Sequence, residues 1–493
     1  MDGIQAFDPD LEKLPTDSYI GGRRVIGKGS EIAVQRPSDG HIAARFAGAD
    51  AGTVDEAVES GWQAFRTSDW AHGEPRRRGA VLRRWADLVE RHTEELARLE
   101  SLSSSRVIAE TRIRDVAITA ELIRFYGECA DKIEGQVLPT RDDVFSLTMR
   151  EPYGVVGAIA PWNVPMVLAT AKVAPALAAG NAVVLKPSEL TPFTALRLAE
   201  LAIDAGLPAG LFNVVVGYGQ EAGSPLVRHP KIGVVSFTGS TATGKAVMID
   251  AANSGLKPVS LELGGKSPQL VFADIPDLDQ VAATIASGVS RNAGQLCYCG
   301  SRLVVERKIA DQLLDKVLAL LWDAKPGPTW DLATTLAPII SARQTDRIAD
   351  ILHRTRQAGD DVLLGGGREQ TEKGAFFQPT VVRSKAGSPV VEEEVFGPVL
   401  AVQTFDDVEE GLAMADHSIY GLAGAVHTSD INKALMAARR IEAGMIWVNT
   451  YGRSLDVGSP FGGYKQSGFG KDFGAIALEK YLKSKSVWIQ LRQ

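Results

Sequence analysis

The sequence predicts an α/β protein built from two doubly wound α/β domains, with a β-ribbon set apart from both. Three observations carry that prediction. Strand-like and helix-like stretches alternate from residue 153 to residue 263, the rhythm of parallel strands whose crossover helices cover both faces of one sheet. A second alternation occupies residues 270–450. Between a helical N-terminal region and the first alternation lies a stretch, residues 134–152, with no helical period.

Taken in order, residues 1–50 read as an arm with short strands at 19–22, 31–34 and 42–46. Val54, Ala57, Val58, Gly61 and Ala64 then recur at i, i+3, i+4 spacing, the mark of an amphipathic helix. Helical pattern continues through 81–89 and 122–130 to Ile133, and Cys129 falls in that last helix as packing. Residues 144–149 alternate as an extended ribbon. Strands are expected at 155–159, 182–186, 212–216, 234–237 and 259–263, with helices such as 191–205 and 241–252 between them. The second region supplies strands at 270–272, 303–305, 399–404 and 446–449, and residues 458–474 form a glycine-rich ordered loop. The tail, 481–491, has strand character and is expected to pair with the 144–149 ribbon of another copy of the chain.

Bulk properties narrow the function. At 493 residues the chain holds about three domains, and a chain this long buries a large core without disulfide or metal staples. The net charge of −7 argues against a general nucleic-acid binder, which needs a basic face for phosphates. Three cysteines are not a secreted disulfide framework, and the acidic N-terminus lacks the apolar run of a leader, so a reducing cytoplasm is expected. Residues 153–171 carry no charge and are as long as a membrane span. Pro161 and Pro165 interrupt them, and Lys172 and Pro175 follow, so they read as buried strand, loop and helix, with no membrane partner.

Several motifs carry chemistry, each beside a plainer reading. The stretch from Gly217 through Gly219 to Ala222 fits a dinucleotide-binding glycine pattern or a simple strand-to-helix turn. Gly239-Ser240-Thr241-Ala242-Thr243-Gly244-Lys245 follows a strand and opens a helix. It resembles a nucleotide-triphosphate loop, but Ala246 stands where a hydroxyl must hold magnesium, so a helix N-terminus facing a diphosphate is the better reading. Lys186, Ser188 and Glu189 end a strand of the same sheet, either as ligands of one polar group or as a helix start. Asn163 lies between Pro161 and Pro165, as a fixed amide donor or a turn residue. Glu262 ends an apolar strand before Gly264 and Gly265; burial there would raise its pKa and make it a base, while the plain alternative is a surface strand end. Cys297 and Cys299 sit between Gly294 and Gly300, where a helix gives way to a strand. Composition argues against a disulfide, and the seven histidines form no spaced cluster for zinc. A nucleophilic thiol or packing remains.

Together these motifs resemble the NAD(P)-dependent aldehyde dehydrogenase superfamily. The resemblance runs from Tyr19 to the C-terminus. It rests on Pro161-Trp162-Asn163, Lys186-Pro187-Ser188-Glu189, Phe237-Thr238-Gly239-Ser240-Thr241, Leu261-Glu262-Leu263-Gly264-Gly265-Lys266, Gly294-Gln295-Leu296-Cys297, Glu394-Val395-Phe396-Gly397-Pro398 and Pro460 through Gly468, in the family's order. It implies an aldehyde dehydrogenase-like fold: residues 1–133 and 153–263 as an NAD-binding domain, 264–460 as a catalytic domain, and 134–152 with 475–493 as the oligomerisation ribbon and tail. It also implies roles. Cys297 is the nucleophile, Asn163 and the Cys297 backbone N–H are the oxyanion donors, and Glu262 is the base that activates the deacylating water. Ala160, Pro161, Trp162, Lys186, Ser188, Glu189, Gly219, Phe237, Gly239, Ser240, Gly244, Leu263, Glu394 and Phe396 bind the cofactor, NAD with NADP as the alternate. Thr119, Val164, Ala171, Leu296, Tyr298, Leu455 and Phe461 line the aldehyde tunnel, with Arg453 near its entrance. No metal is implied, and the assembly is a homodimer or homotetramer.

The implied reaction is oxidation of an aldehyde to the acid through a thiohemiacetal and a thioester. Glu262 favours hydrolysis over transfer to coenzyme A. Val164 and Ala171 are smaller than the aromatics many relatives carry, which predicts a tunnel for aldehydes bulkier than acetaldehyde. The competing classes are a cofactor-independent thiol esterase and a catalytically silent protein of the same fold.

Overall fold

A computed structural model describes residues 6–369, 374–452 and 456–492. Among these residues two large sheets form, one of eight strands and one of seven. The first is ordered Arg23–Val25, Ser18–Ile20, Phe212–Val214, Ala182–Lys186, Val155–Ile159, Ile232–Thr238, Val259–Glu262 and Gly468–Phe469. The inner five strands are parallel, and the edge pairs are antiparallel. From Val155–Ile159 the chain steps outward through two strands on one side, then crosses to Ile232–Thr238 on the other. The strand order therefore reverses between these two neighbours, and the carboxyl ends of such a pair open a ligand crevice.

The uncharged stretch resolves as expected into the strand Val155–Ile159, the helix Pro165–Ala178 and the strand Ala182–Lys186. Pro165 suits the first helical turn, where its missing N–H leaves no bond unmade. No helix among the described residues is long and apolar enough to cross a membrane.

The second sheet is ordered Asp361–Leu364, Thr380–Arg383, Val399–Phe405, Arg302–Glu306, Pro268–Val271, Ala423–His427 and Met445–Val448, parallel except for its first pair. Ala423–His427 is not among the expected strands: three of its five residues are Ala or Gly, so nothing in its composition marks a strand, and burial between neighbours decides it. Gly468–Phe469 leaves the glycine-rich segment and returns to the first sheet beside Leu261 and Glu262.

The ribbon corrects one expectation. Leu482–Gln490 pairs along its whole length with Val144–Pro152 of the same chain, not of another copy. Val137–Leu138 adds a third strand. Phe145, Met149, Trp488 and Ile489 remain exposed on this ribbon.

Candidate active site

Cys297 owes its position to an unusual turn. The helix Leu278–Ser290 ends, and Asn292, Ala293 and Gly294 follow with φ of 50°, 48° and 70°. Left-handed backbone costs a non-glycine residue about 1 kcal/mol. At Gly294 only glycine fits, because a Cβ would run into the Gly397 carbonyl. Side chains hold the turn. Asn292 Nδ2 donates to Asn163 O at 2.9 Å and to Gln295 O at 3.2 Å. Gln295 is fully buried; its Nε2 donates to Asn292 O and Pro338 O, and its Oε1 accepts from the Ile340 N–H. Burial pushes the Cys297 thiol pKa up, helped by the negative charges of Glu394 and Glu262. Cys299, two residues on, is packed into the apolar cluster of the second sheet.

Asn163 is buried, and its Nδ2 donates to Gln295 O at 3.0 Å, so the amide is tied to the cysteine turn itself. Glu262 is 3 % exposed, and neither carboxylate oxygen has a hydrogen-bond partner among the described residues. Burial holds its pKa well above the ordinary carboxylate range; Asp472 adds to this, while Lys480, Lys172 and Lys471 oppose it. The strand-end surface reading is thereby removed. Sequence reasoning missed the charges behind it. Lys172 Nζ, fully buried, lies 3.2 Å from Asp472 Oδ2 and 3.3 Å from Ser236 Oγ, and Lys480 pairs with the other oxygen of Asp472. Burial disfavours the charge on Asp472, but the two lysines prevail and keep it ionised.

A crevice of about 1790 Å³ opens at the strand reversal. Pro161, Trp162, Ser188, Glu189, Gly239, Ser240, Leu263, Glu394 and Phe396 line it, together with Cys297 and Asn163. The helix Thr241–Asn253 points its N-terminus there, capped by Ser240 Oγ, which accepts from the Thr243 N–H at 3.2 Å. Its unpaired N–H groups suit a diphosphate. Ser188 Oγ caps a turn by accepting from the Leu190 N–H. The Thr238 hydroxyl faces the crevice without a partner among the described residues. Trp162 and Phe396 meet edge to face at 5.2 Å. Glu394 Oε1 accepts from the Gly265 N–H at 3.1 Å, and burial raises its pKa to about 7. Gly264 permits this approach, since a Cβ there would overlap the Glu394 carboxylate. Gln344 and Arg347 bond the carbonyls of residues 394–396 and so fix Glu394 and Phe396; nothing in the sequence signalled them.

Five residues expected at the cofactor stand behind the lining. Ala160 is buried and donates its N–H to Lys186 O. Lys186 Nζ donates to Pro187 O at 2.9 Å and lies 3.5 Å from Oε2 of Glu189, which lines the crevice. Phe237 packs under Gly239, and Gly244 makes room for Leu263. Gly219 lies outside the lining of this crevice. It opens a π-helical turn, Gly219–Gly223, which faces the N-terminal arm, where Glu221 accepts from the N–H and hydroxyl of Ser30.

On the other side of Cys297 lies a second, smaller cavity. Val164, Leu296, Tyr298 and Phe461 line it as expected, and Thr119 and Ala171 do not. A π-helical turn, Thr111–Asp115, precedes the helix Val116–Cys129, and Asp115 and Ile118 meet the cavity. Thr119 is buried and its hydroxyl donates to Asp115 O at 2.8 Å. On the neighbouring helix Val164, Val167 and Leu168 take the facing positions, and Ala171, one turn on, is sealed in the core. Leu455 and Arg453 lie outside the described residues.

Residues 25–487 match the aldehyde dehydrogenase family. An aminoacetaldehyde dehydrogenase from Pseudomonas aeruginosa is 42% identical over 97% of this chain and 96% of its own. A phenylacetaldehyde dehydrogenase from Pseudomonas fluorescens is 39% identical over 97% and 96%. The crystal structure of an indole-3-acetaldehyde dehydrogenase complexed with NAD+ superposes with a TM-score of 0.96 at 41% identity, covering 98% of both chains. A match over nearly the whole length, in sequence and in architecture, means that this chain belongs to the aldehyde dehydrogenase family.

Proposed function

We propose that the protein oxidises an aldehyde to its carboxylic acid in two covalent stages on Cys297, with NAD as the hydride acceptor. As a member of its family it is an NAD(P)-dependent aldehyde dehydrogenase. The observation that carries the mechanism is that Cys297 and Asn163 line both cavities at once. An aldehyde entering from the smaller cavity meets the thiol where it borders the larger crevice.

Once its thiol proton has been lost, the Cys297 thiolate adds to the carbonyl carbon and makes a thiohemiacetal oxyanion. An amide nitrogen carries two hydrogens; one of those on Asn163 Nδ2 is spent on Gln295 O, and the other serves the oxyanion together with the Cys297 N–H. A nicotinamide dinucleotide held in the crevice by Glu189, Ser240, Glu394 and Phe396 would supply the hydride acceptor, and Cys297 would be left carrying a thioester. Glu262 then takes a proton from water, which attacks the thioester carbon and releases the carboxylate and the free thiol. Asn163→Ala is expected to lower kcat by about 10²–10³-fold, the typical loss of one oxyanion donor, as read by steady-state kinetics.

The crevice fits the dinucleotide through the helix N-terminus, Glu394 and the Trp162–Phe396 pair. Glu189 supports NAD over NADP, because a carboxylate accepts from a ribose diol and repels a 2′-phosphate. The relatives' names give substrates with an amine, a phenyl or an indole on the same acetaldehyde unit, which supports an aldehyde larger than acetaldehyde for this cavity. The exposed apolar residues of the ribbon support assembly into a homodimer or homotetramer. Three free cysteines suit a reducing cytoplasm.

Absorbance of reduced cofactor, followed with a panel of aldehydes, tests the reading. Turnover is expected with kcat/KM at least about tenfold higher for NAD than for NADP. Ester hydrolysis without aldehyde turnover would replace the reading by a cofactor-independent thiol esterase. Cofactor binding with neither activity would make the chain a silent member of its family.

A further inference from the structure

We propose that Arg343 is a phosphate-binding residue, whose guanidinium group clasps the diphosphate of the dinucleotide in the larger crevice. The inference rests on that crevice being the cofactor site. It adds a residue that the charge of the cofactor calls for.

Two helix starts border the crevice. Ser240, Thr241 and Thr243 line it where the helix Thr241–Asn253 begins. Ser341, Arg343, Gln344 and Arg347 line it where the helix Ala342–Gln357 begins. The second start is fixed from several sides. Ser341 Oγ accepts from the Gln344 N–H at 3.3 Å, and the Ile340 N–H donates to Gln295 Oε1 at 2.9 Å. Gln344 Nε2 donates to the carbonyls of Val395 and Phe396. Arg343 therefore stands on a backbone already set in place.

Its charge needs a reason. A cation in the first turn of a helix meets the positive end of the helix dipole, and this first turn holds no acid to offset it. Four charged residues line the crevice: Glu189, Arg343, Arg347 and Glu394. Arg347 donates to the carbonyls of Val395 and Glu394 at 3.0 and 2.6 Å. Glu394 accepts from the Gly265 N–H, and Glu189 lies beside Lys186. Arg343 alone of the four has no hydrogen bond or ion pair among the described residues, and it is exposed. The lining thus offers two carboxylates, which repel a diphosphate, and one uncommitted guanidinium fork, which matches phosphate oxygens. A diphosphate lying there bonds the fork and offsets the repulsion from the helix dipole. A neutral nucleoside does neither.

Calorimetry with NAD, ADP-ribose and adenosine tests this. Arg343→Gln is expected to weaken NAD and ADP-ribose by about tenfold, and adenosine by less than about twofold. The gap between wild type and variant is expected to shrink as salt is raised, because the contact is exposed to solvent. A second measurement needs no variant. Phenylglyoxal, which adds to guanidinium groups, is expected to label Arg343 in the free enzyme, as read by peptide mass mapping. ADP-ribose is expected to slow that labelling by about tenfold, and adenosine to leave it unchanged. Unaltered NAD affinity in Arg343→Gln, an equal loss for adenosine, or labelling that ADP-ribose does not slow overturns the inference and leaves the crevice as the cofactor site. No binding of NAD by the wild-type protein overturns both.

Discussion

Cys297→Ala is expected to abolish aldehyde oxidation, with kcat down by at least about 10⁴-fold, while NAD binding survives. The size follows from what is removed. Without the sulfur no covalent intermediate forms, and positioning and oxyanion donors alone retain only a residue of catalysis. The cofactor crevice keeps Glu394, Phe396 and the helix capped by Ser240, none of which leans on the thiol. Binding of NAD, followed by quenching of protein fluorescence, should therefore remain within a few-fold of wild type. Cys297→Ser is the sharper control, since it preserves shape and changes only the nucleophile. Activity within about tenfold of wild type in either variant would remove Cys297 from the reaction.

Glu262→Gln is expected to split the reaction in two. The first turnover should still release about one equivalent of NADH per active site, because acylation needs the thiol and the oxyanion donors. Steady-state turnover should then fall by about 10²–10⁴-fold, the usual worth of a positioned base, and intact-mass spectrometry should find the acyl group on the enzyme. The pH dependence has a definite sign. Glu262 works as a base only when ionised, and burial has raised its pKa, so the ionised fraction declines as pH falls, starting well above the ordinary carboxylate range. Wild-type turnover should lose rate on that acid limb, and Glu262→Gln should flatten it. A variant that turns over at the wild-type rate, with no burst, would assign the water's proton to another group.

The sequence made the strand ends legible, and with them the residues they carry. Asn163, Glu189, Ser240 and Glu262 follow apolar runs whose length and flanking glycines mark parallel strands, and such ends face one side of a doubly wound sheet. Side-chain direction within a helix was less legible. Ile118 rather than Thr119, and Val167 rather than Ala171 one turn on, line the cavity, and the hydrophobic period does not distinguish such neighbours on one helix. The supports were invisible for a different reason. Gln344 and Arg347 act through backbone carbonyls of residues 394–396, and Lys172 meets Asp472 across 300 residues of chain. Such contacts leave no local periodicity or composition to detect.

The return of Gly468–Phe469 to the first sheet has a consequence for how the protein is made. Ser467 Oγ donates to Gly264 O, 203 residues earlier, and Asp472 and Lys480 supply charge around Glu262 from near the end of the chain. A ribosome has therefore translated the nucleophile, its oxyanion donor and most of both sheets before the surroundings of the base exist. Contacts this distant in sequence close late and slowly. The growing chain carries Cys297 before the surroundings of its base are complete, and repeated turnover waits until residues 467–480 have emerged and returned to the first sheet.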